Sequence, residues 1–91
     1  MTDLRKAARG APCFLRLKGC EPGPDNERVV LCHRNGAGMA LKSDDLDAVC
    51  GCFSCHARLD GPAGDLPAPY EEVFDVAKQL THRYWRRKGL I

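Results

Sequence analysis

The side chains best suited to chemistry in this sequence are its six cysteines and three histidines. Cys52 and Cys55 are separated by two residues, and His56 follows them directly. This C-x-x-C-H spacing is found where haem is covalently attached, and C-x-x-C is equally one half of a zinc site. In the first case the thiols anchor a porphyrin and His56 is its axial ligand. In the second case the thiolates bind a metal ion.

A second cysteine pair favours zinc over haem. Cys13 and Cys20 have six residues between them, and a structural zinc site takes four soft ligands, commonly as two closely spaced pairs. Haem would leave this second pair without a role and would require export of the chain. The predicted zinc ligands are therefore Cys13, Cys20, Cys52 and Cys55, with disulfides or unligated thiols as the alternative.

Two cysteines exceed what one zinc ion needs. Cys32 and Cys50 each lie in a predicted strand, where a cysteine commonly acts as a small buried hydrophobic residue. Either of them could instead replace a member of the Cys13/Cys20 pair, and the sequence leaves that alternative open.

The N-terminal segment indicates the compartment. "MTDLRKAARGAPC" has basic residues but no apolar run of the kind that forms a signal-peptide core. No stretch approaches the roughly 18 apolar residues of a membrane helix. We therefore expect a cytoplasmic protein without a membrane association, in which cysteines remain reduced and available as metal ligands.

Charge is distributed unevenly along the chain. Residues 1–20 carry a net charge of +4, residues 21–75 a net charge of −7, and residues 76–91 a net charge of +5. Basic ends around an acidic middle suit a protein whose termini contact a polyanion, although an ordinary solvated surface could have the same pattern.

Short elements must position the cysteines and histidines. We predict a helix over 3–9 capped by Thr2, a short strand within 13–20, a strand over 28–33 that ends at His33, and a second strand over 48–51. A Gly-rich loop joins these last two strands, and a two-turn helix over 53–59 follows the second of them. The sequence thus predicts an α+β fold of one domain spanning 1–91, with a zinc-stapled finger at about 28–61.

A longer helix is predicted at about 69–88. Glutamates near its start and Arg86, Arg87 and Lys88 near its end complement the helix dipole. Its apolar stripe, which we expect to face the core, consists of Tyr70, Val73, Phe74, Ala77, Leu80 and Tyr84. Trp85 is expected in the core, and His82 on the surface or against a phosphate.

The helix after the C-x-x-C turn could carry a second metal site. His56 and Asp60 are four residues apart and share one helical face, so the pair could hold a divalent cation. His33, at the end of the neighbouring strand, could lie opposite that cation as a general base. Such an arrangement is suited to phosphodiester hydrolysis.

These residues resemble a known family. The chain is similar to HNH, or His-Me finger, endonucleases, and most closely to the YbcO-type family of small phage and prophage proteins assigned as nucleases. The resemblance covers about two thirds of the chain. It rests on "LRKAARG", Cys13 and Cys20, "VVLCHR", "NGAGM", "SDDL" and "CFSCHARLDG".

The resemblance implies a role for each matching position. His33 corresponds to the general base, and His56 to a ligand of the catalytic divalent metal, for example Mg²⁺, with Asp60 where some members place a second ligand. The zinc ligands match the four cysteines named above. Where many members carry a metal ligand just before the base, this chain has Cys32. The middle asparagine that orients the base has no direct counterpart, and Asp45 is the first candidate for its place, ahead of Asn35.

Together these features predict a metal-dependent DNA endonuclease. The resemblance further implies that it is encoded by a phage or prophage and acts in DNA recombination or processing in the cytoplasm of a bacterial host cell, with a host recombination protein as a candidate partner. A zinc-binding DNA or protein adaptor without cleavage activity is the alternative. The residues expected along the DNA backbone are Arg5, Lys6, Arg9, Arg83, Arg86, Arg87 and Lys88.

Overall fold

A computed structural model describes residues 3–34 and 45–91, and within these ranges the chain is a small α+β protein. The helices are α1 (Leu4–Ala8), α2 (Phe53–Leu59) and α3 (Tyr70–Arg87), and the strands are β1 (Val29–His33) and β2 (Ala48–Cys52). Short 3₁₀ turns at Pro24–Asn26 and Ala63–Asp65 lie in the connections. The predicted Thr2 cap, Asn35 and most of the predicted Gly-rich loop lie outside the described residues. At α1, Asp3 caps the helix by accepting hydrogen bonds from the backbone N–H groups of Arg5 and Lys6.

The two strands form an antiparallel pair whose register separates the two groups of chemically active residues. Val29 pairs with Cys52 at one end and His33 pairs with Ala48 at the other. Four residues of strand span roughly 13 Å at about 3.3 Å per residue. The sheet therefore holds its cysteine end and its histidine end about that far apart.

Strand β2 is buried along its whole length because neighbouring elements cover the edge that β1 leaves open. The Cys50 carbonyl accepts a hydrogen bond from the Phe14 N–H at 2.9 Å, and the Cys50 N–H donates to Thr81 Oγ1 at 3.2 Å. The first contact comes from the segment around Cys13 and the second from α3. Both backbone groups of a central residue are thereby satisfied without a third strand.

Residues 13–20 do not form the predicted strand, which is a correction to the sequence analysis. Several backbone groups of this segment bond to partners other than a strand: the Leu17 N–H donates to Cys55 Sγ, and the Cys20 N–H donates to the Leu17 carbonyl in a turn. Arg16 and Gly19 also adopt positive φ angles of 45° and 84°, which a regular strand excludes. The segment is shaped by the cysteine cluster that it wraps.

Helix α3 agrees with the predicted helix to within one residue at each end, and Pro69 and Lys88 are its caps. The buried face consists of Phe74, Ala77, Thr81 and Trp85. The predicted core position of Trp85 is confirmed. The predicted burial of Leu80 is wrong, because this side chain is 37% exposed. Spacings of three and four residues from Phe74 lead to Thr81 and Trp85, so the helix turns Leu80 towards solvent.

No helix within residues 3–34 and 45–91 is long and apolar enough to cross a membrane.

Candidate metal centre and histidine site

The four cysteines predicted as zinc ligands lie together at one end of the sheet. Their Sγ atoms are all within 4.8 Å of one another. Cys52 is the last residue of β2 and the N-cap of α2, which places Cys55 one turn into the helix. The segment before β1 brings Cys13 and Cys20 against them. The four thiols could hold a metal ion, and a set of four sulfurs is typical of structural zinc.

Backbone N–H groups donate hydrogen bonds to these sulfurs, as they do to thiolates. Leu17 donates to Cys55 Sγ and Glu21 to Cys52 Sγ, each at 3.3 Å. Cys52 donates to Cys13 Sγ at 3.3 Å. Such hydrogen bonds are stronger when the acceptor carries a charge, so they favour the ionised form of the cluster. This donor set fits a tetrahedral divalent ion.

Hydrogen bonds give Cys52 a lower pKa than Cys20 has. Burial by itself would raise its pKa, but hydrogen bonds from the N–H groups of Cys55 and Glu21, together with those from the Cys55 and Cys20 side chains, lower the pKa of Cys52 to about 7. Burial raises the pKa of Cys20 to about 11. A bound metal would ionise all four thiols, since a coordinated thiol loses its proton.

Cys32 and Cys50 lie outside the four-sulfur cluster. Both are fully buried, and burial raises the pKa of each to about 12. They are neutral thiols packed as small hydrophobic side chains, and Cys32 offers no ionised sulfur to a metal beside His33.

The histidine site lies at the opposite end of the sheet. His33 Nε2 is 2.7 Å from Asp45 Oδ1, and Arg5 Nε from α1 is 3.6 Å from the same oxygen. The His33 side chain is 27% exposed, so it is accessible to solvent. The hydrogen bond from His33 lowers the pKa of Asp45 below its usual value, with a further contribution from Arg5. Asp45 is therefore a carboxylate at neutral pH and can hold the imidazole in one orientation.

An arginine next to His33 ties this end of the sheet to α3. Arg34 Nε donates to both carboxylate oxygens of Asp47, at 3.0 and 3.1 Å. Arg34 also bonds to Glu71 and Asp75 of α3. Its guanidinium lies 4.3 Å above the centre of the Phe74 ring. Arg34 and Asp47 flank His33 and Asp45 in sequence, so these contacts hold both ends of the segment that joins the strands.

Sequence reasoning missed this Arg34 network. Glu71 and Asp75 are four residues apart on α3 and so share a face. That spacing indicates a binding place for a cation, but it does not identify which of the fourteen basic residues occupies it. The choice of Arg34 depends on the packing of α3 against the sheet.

His56 and Asp60 contact each other on α2 as their spacing predicts. His56 Nε2 is 3.1 Å from Asp60 Oδ2, and both side chains are partly exposed. The negative charge of Asp60 also contributes to the raised pKa of Cys32, behind burial as the main cause. The pair offers one nitrogen and one carboxylate, a donor set that Mg²⁺ can complete with water and phosphate oxygens.

The predicted DNA-binding residues lie on two helices. Arg5, Lys6 and Arg9 are exposed on or next to α1, and Arg5 reaches the histidine site through Asp45. The remaining basic residues are exposed at the C-terminal end of α3: Arg83, Arg86, Arg87 and Lys88. His82 bonds to the Leu46 carbonyl at 2.6 Å and packs against the Trp85 ring, so it holds the segment before β2 against α3.

Comparison with known proteins gives consistent matches over nearly the whole chain. The family model described as "Putative nuclease YbcO" matches residues 2–90. Proteins of that description from Escherichia coli K12 and Enterobacteria phage 82 are each 33% identical over 94 aligned positions, covering 100% of this chain and 98% of the relative. A solved structure described as a "putative bacteriophage protein" from Escherichia coli K-12 superimposes with a TM-score of 0.70 at 32% identity, covering 96% of this chain and 100% of that one.

Proposed function

The chain belongs to the YbcO family, and on that premise we propose that it is a metal-dependent DNA endonuclease of the HNH, or His-Me finger, class. The observation that carries the proposal is the contact of 2.7 Å between His33 and Asp45 at an accessible end of the sheet. The element order β1, β2, α2 around a four-cysteine cluster supports the same class.

His33 is the proposed general base. When Nε2 carries the proton donated to Asp45, Nδ1 has the lone pair that can accept a proton from water. The hydroxide oxygen then forms a bond to the phosphorus while the bond from phosphorus to the leaving oxygen breaks. Asp45 stays ionised and favours the imidazolium that forms. Asp45 thus takes the role that a middle asparagine has in the family pattern.

Two metal sites are proposed with different roles. Zn²⁺ would be held by Cys13, Cys20, Cys52 and Cys55, and would tie the segment before β1 to the start of α2. A divalent cation such as Mg²⁺ at His56 and Asp60 would neutralise charge that develops on the phosphate and the leaving oxygen.

DNA is the proposed substrate and partner. The basic residues of α1 and of the end of α3 would contact its phosphates, and such contacts would give salt-dependent binding with little sequence preference. The relative from a phage supports a phage or prophage role. On this view the protein processes or recombines DNA in the cytoplasm of the bacterial host, with a host recombination protein as a candidate partner.

The test compares wild type with His33→Ala in nicking of supercoiled plasmid DNA. We expect Mg²⁺-dependent nicking by wild type and a loss of at least about 100-fold in the variant, the usual range for removal of a general base. Gln79→Ala, an exposed change on α3, is the control and should cut normally. Loosely held cations are removed first by gel filtration in a mild chelator, with retained zinc verified by elemental analysis. Equal nicking by wild type and His33→Ala would contradict the role of His33.

An adaptor function is favoured by one observation. His56 Nε2 and Asp60 Oδ2 already contact each other at 3.1 Å, and such a contact needs no metal. An adaptor would bind DNA or a protein through the same finger without cleaving. DNA binding without nicking by wild type, with Mg²⁺, Mn²⁺ or Ca²⁺ in turn, would support this second function.

A further inference from the structure

A shallow depression lies beside α1, and one of its lining residues, Arg5, also contacts Asp45 of the histidine site. Its volume is about 630 Å³, and it is lined by residues of α1, of β1 and its approach, and by Phe53 of α2. The cations that line it are Arg5, Lys6 and Arg9, against the single carboxylate of Glu27. The depression therefore combines a positive side with an apolar floor.

Phe53 is the unusual residue in this surface. Its side chain is 57% exposed, whereas Phe74 is fully buried and Phe14 packs against Tyr84. The hydrogen bond that Phe53 makes to the segment before β1 comes from its backbone N–H, which donates to the Arg28 carbonyl at 3.0 Å. Any residue but proline could make that bond, so the fold does not require an aromatic ring at this position.

The lining identifies the chemical class of the ligand. An exposed aromatic ring favours a flat apolar partner, and three cations nearby favour an anion. A nucleic acid strand offers both, as bases and phosphates, and aromatic side chains with a basic track are the usual means of binding unpaired strands. In a duplex each internal base is stacked on both faces and cannot lie on a side chain without leaving the stack.

Arg5 connects the depression to the histidine site. It lines the depression and also contacts Asp45, which in turn contacts His33. Val29, beside Phe53 in the lining, is four residues along β1 from His33. That separation is roughly 13 Å, a span that a few nucleotides of an unpaired strand can cover.

We propose that Phe53 is a stacking platform for an unpaired base and that the basic residues of α1 guide a single-stranded DNA segment from it to His33. The inference rests on the proposed function and narrows its substrate to DNA with an unpaired segment beside the cut, such as a flap, gap or branch. Phe53 would determine this preference, and the cations would contribute affinity for any DNA.

The experiment measures binding rather than cleavage. The zinc-loaded His33→Ala protein, which should not cut, is titrated against fluorescein-labelled single-stranded and duplex DNA of the same sequence. In this background Phe53→Ala should weaken single-strand binding about 10-fold, since stacking contributes about 5- to 150-fold per base. Duplex affinity should change less than about twofold. Phe53→Trp should keep the preference for single strands, and Phe53→Leu should lose it, because leucine is apolar but cannot stack.

Val76→Ala is the matched control, because Val76 is also exposed but lies on α3. It should leave both affinities unchanged. Zinc content and thermal unfolding establish that each variant is folded, and the Trp and Leu variants provide the comparison if Phe53→Ala is unstable. Equal losses for single-stranded and duplex DNA, or no loss for either, would overturn the inference.

The outcomes separate this inference from the proposed function. Phe53-dependent binding of single strands by a wild-type protein that does not nick DNA would reject the endonuclease and retain the platform. Nicking by wild type combined with Phe53→Ala binding that equals that of its parent would reject the platform and retain the endonuclease.

Discussion

Individual cysteines in this chain have different chemistry because their surroundings differ. The Cys52 sulfur accepts several hydrogen bonds, two of them from backbone N–H groups, and its pKa falls to about 7 despite burial, whereas burial raises the pKa of Cys32 to about 12. The two side chains are fully buried to the same extent. Hydrogen bonding to the sulfur therefore separates Cys52 from Cys32.

Substitution of each cysteine tests this distinction. Cys52→Ser should lose the bound metal and cooperative thermal unfolding, because a structural metal supplies much of the folding free energy of a small domain. Cys32→Ala should keep about one zinc per chain and lose roughly 1 kcal/mol through the small cavity. Elemental analysis and calorimetry measure both effects. Loss of metal from Cys32→Ala with retention in Cys52→Ser would show that the ligands are assigned wrongly.

Among the elements, α3 stabilises the sheet through contacts with β2 and with the residue that follows β1. A two-stranded sheet has two open edges, and the Thr81 hydroxyl accepts a hydrogen bond from the Cys50 N–H at the β2 edge. Arg34 ties the end of β1 to the same helix through Glu71 and Asp75. Helix α3 thus covers the β2 edge and also holds the histidine end of the sheet.

Thr81→Val tests the edge contact. Valine has nearly the same shape as threonine but no hydroxyl, so the buried Cys50 N–H would lose its acceptor at a cost of about 1–3 kcal/mol. Thr81→Ser keeps the hydroxyl and should cost less, despite the lost methyl group. Urea unfolding of both variants measures the difference. A serine variant less stable than the valine variant would mean that packing, not the hydrogen bond, dominates here.

In the whole molecule, the cysteine cluster and the histidine site lie at opposite ends of a short sheet. The cysteine cluster holds the cysteine end together, and the ion pairs around Arg34 and Asp45 hold the histidine end. A 91-residue chain buries a modest core, so both sets of contacts matter to its stability. The ion pairs make the stability of the histidine end sensitive to acid.

The sign of this pH dependence follows from Asp47. Hydrogen bonds from Arg34 lower the pKa of Asp47 in the folded protein below its unfolded value, with a smaller contribution from Lys78. Its contribution to stability is therefore complete above the unfolded pKa of about 3.9 and is lost as the pH falls through the folded pKa. Asp47→Asn should be less stable than wild type by about 1 kcal/mol at pH 7, and the gap should narrow below about pH 4.

The measurement is urea unfolding of wild type and Asp47→Asn at each pH, within the range where both retain zinc. Taking the difference between the two proteins cancels the pH dependence of metal binding that they share. Asp65→Asn, an exposed carboxylate near the start of α3, is the control. A gap that stays constant or widens as the pH falls would contradict the assigned role of the Arg34–Asp47 pair.

Local spacing in the sequence was enough to predict several features. Helix α2 has the predicted bounds, and β1, β2, α1 and α3 agree to within a residue at each end. Turn residues, β-branched runs and helical periodicity act over a few neighbouring residues, so the chain carries this information locally. The four-cysteine cluster was predictable as well, because each pair is close in sequence and a structural zinc ion takes four such ligands.

Long-range packing decided the rest. The conformation of residues 13–20 depends on sulfurs that lie more than thirty residues away, and the burial of Thr81 instead of Leu80 depends on how α3 turns towards β2. The choice of Arg34 as the partner of α3 and the exposure of Phe53 beside α1 likewise depend on how distant segments pack. Sequence spacing predicts which residues share an element, whereas only the assembled fold determines which elements meet.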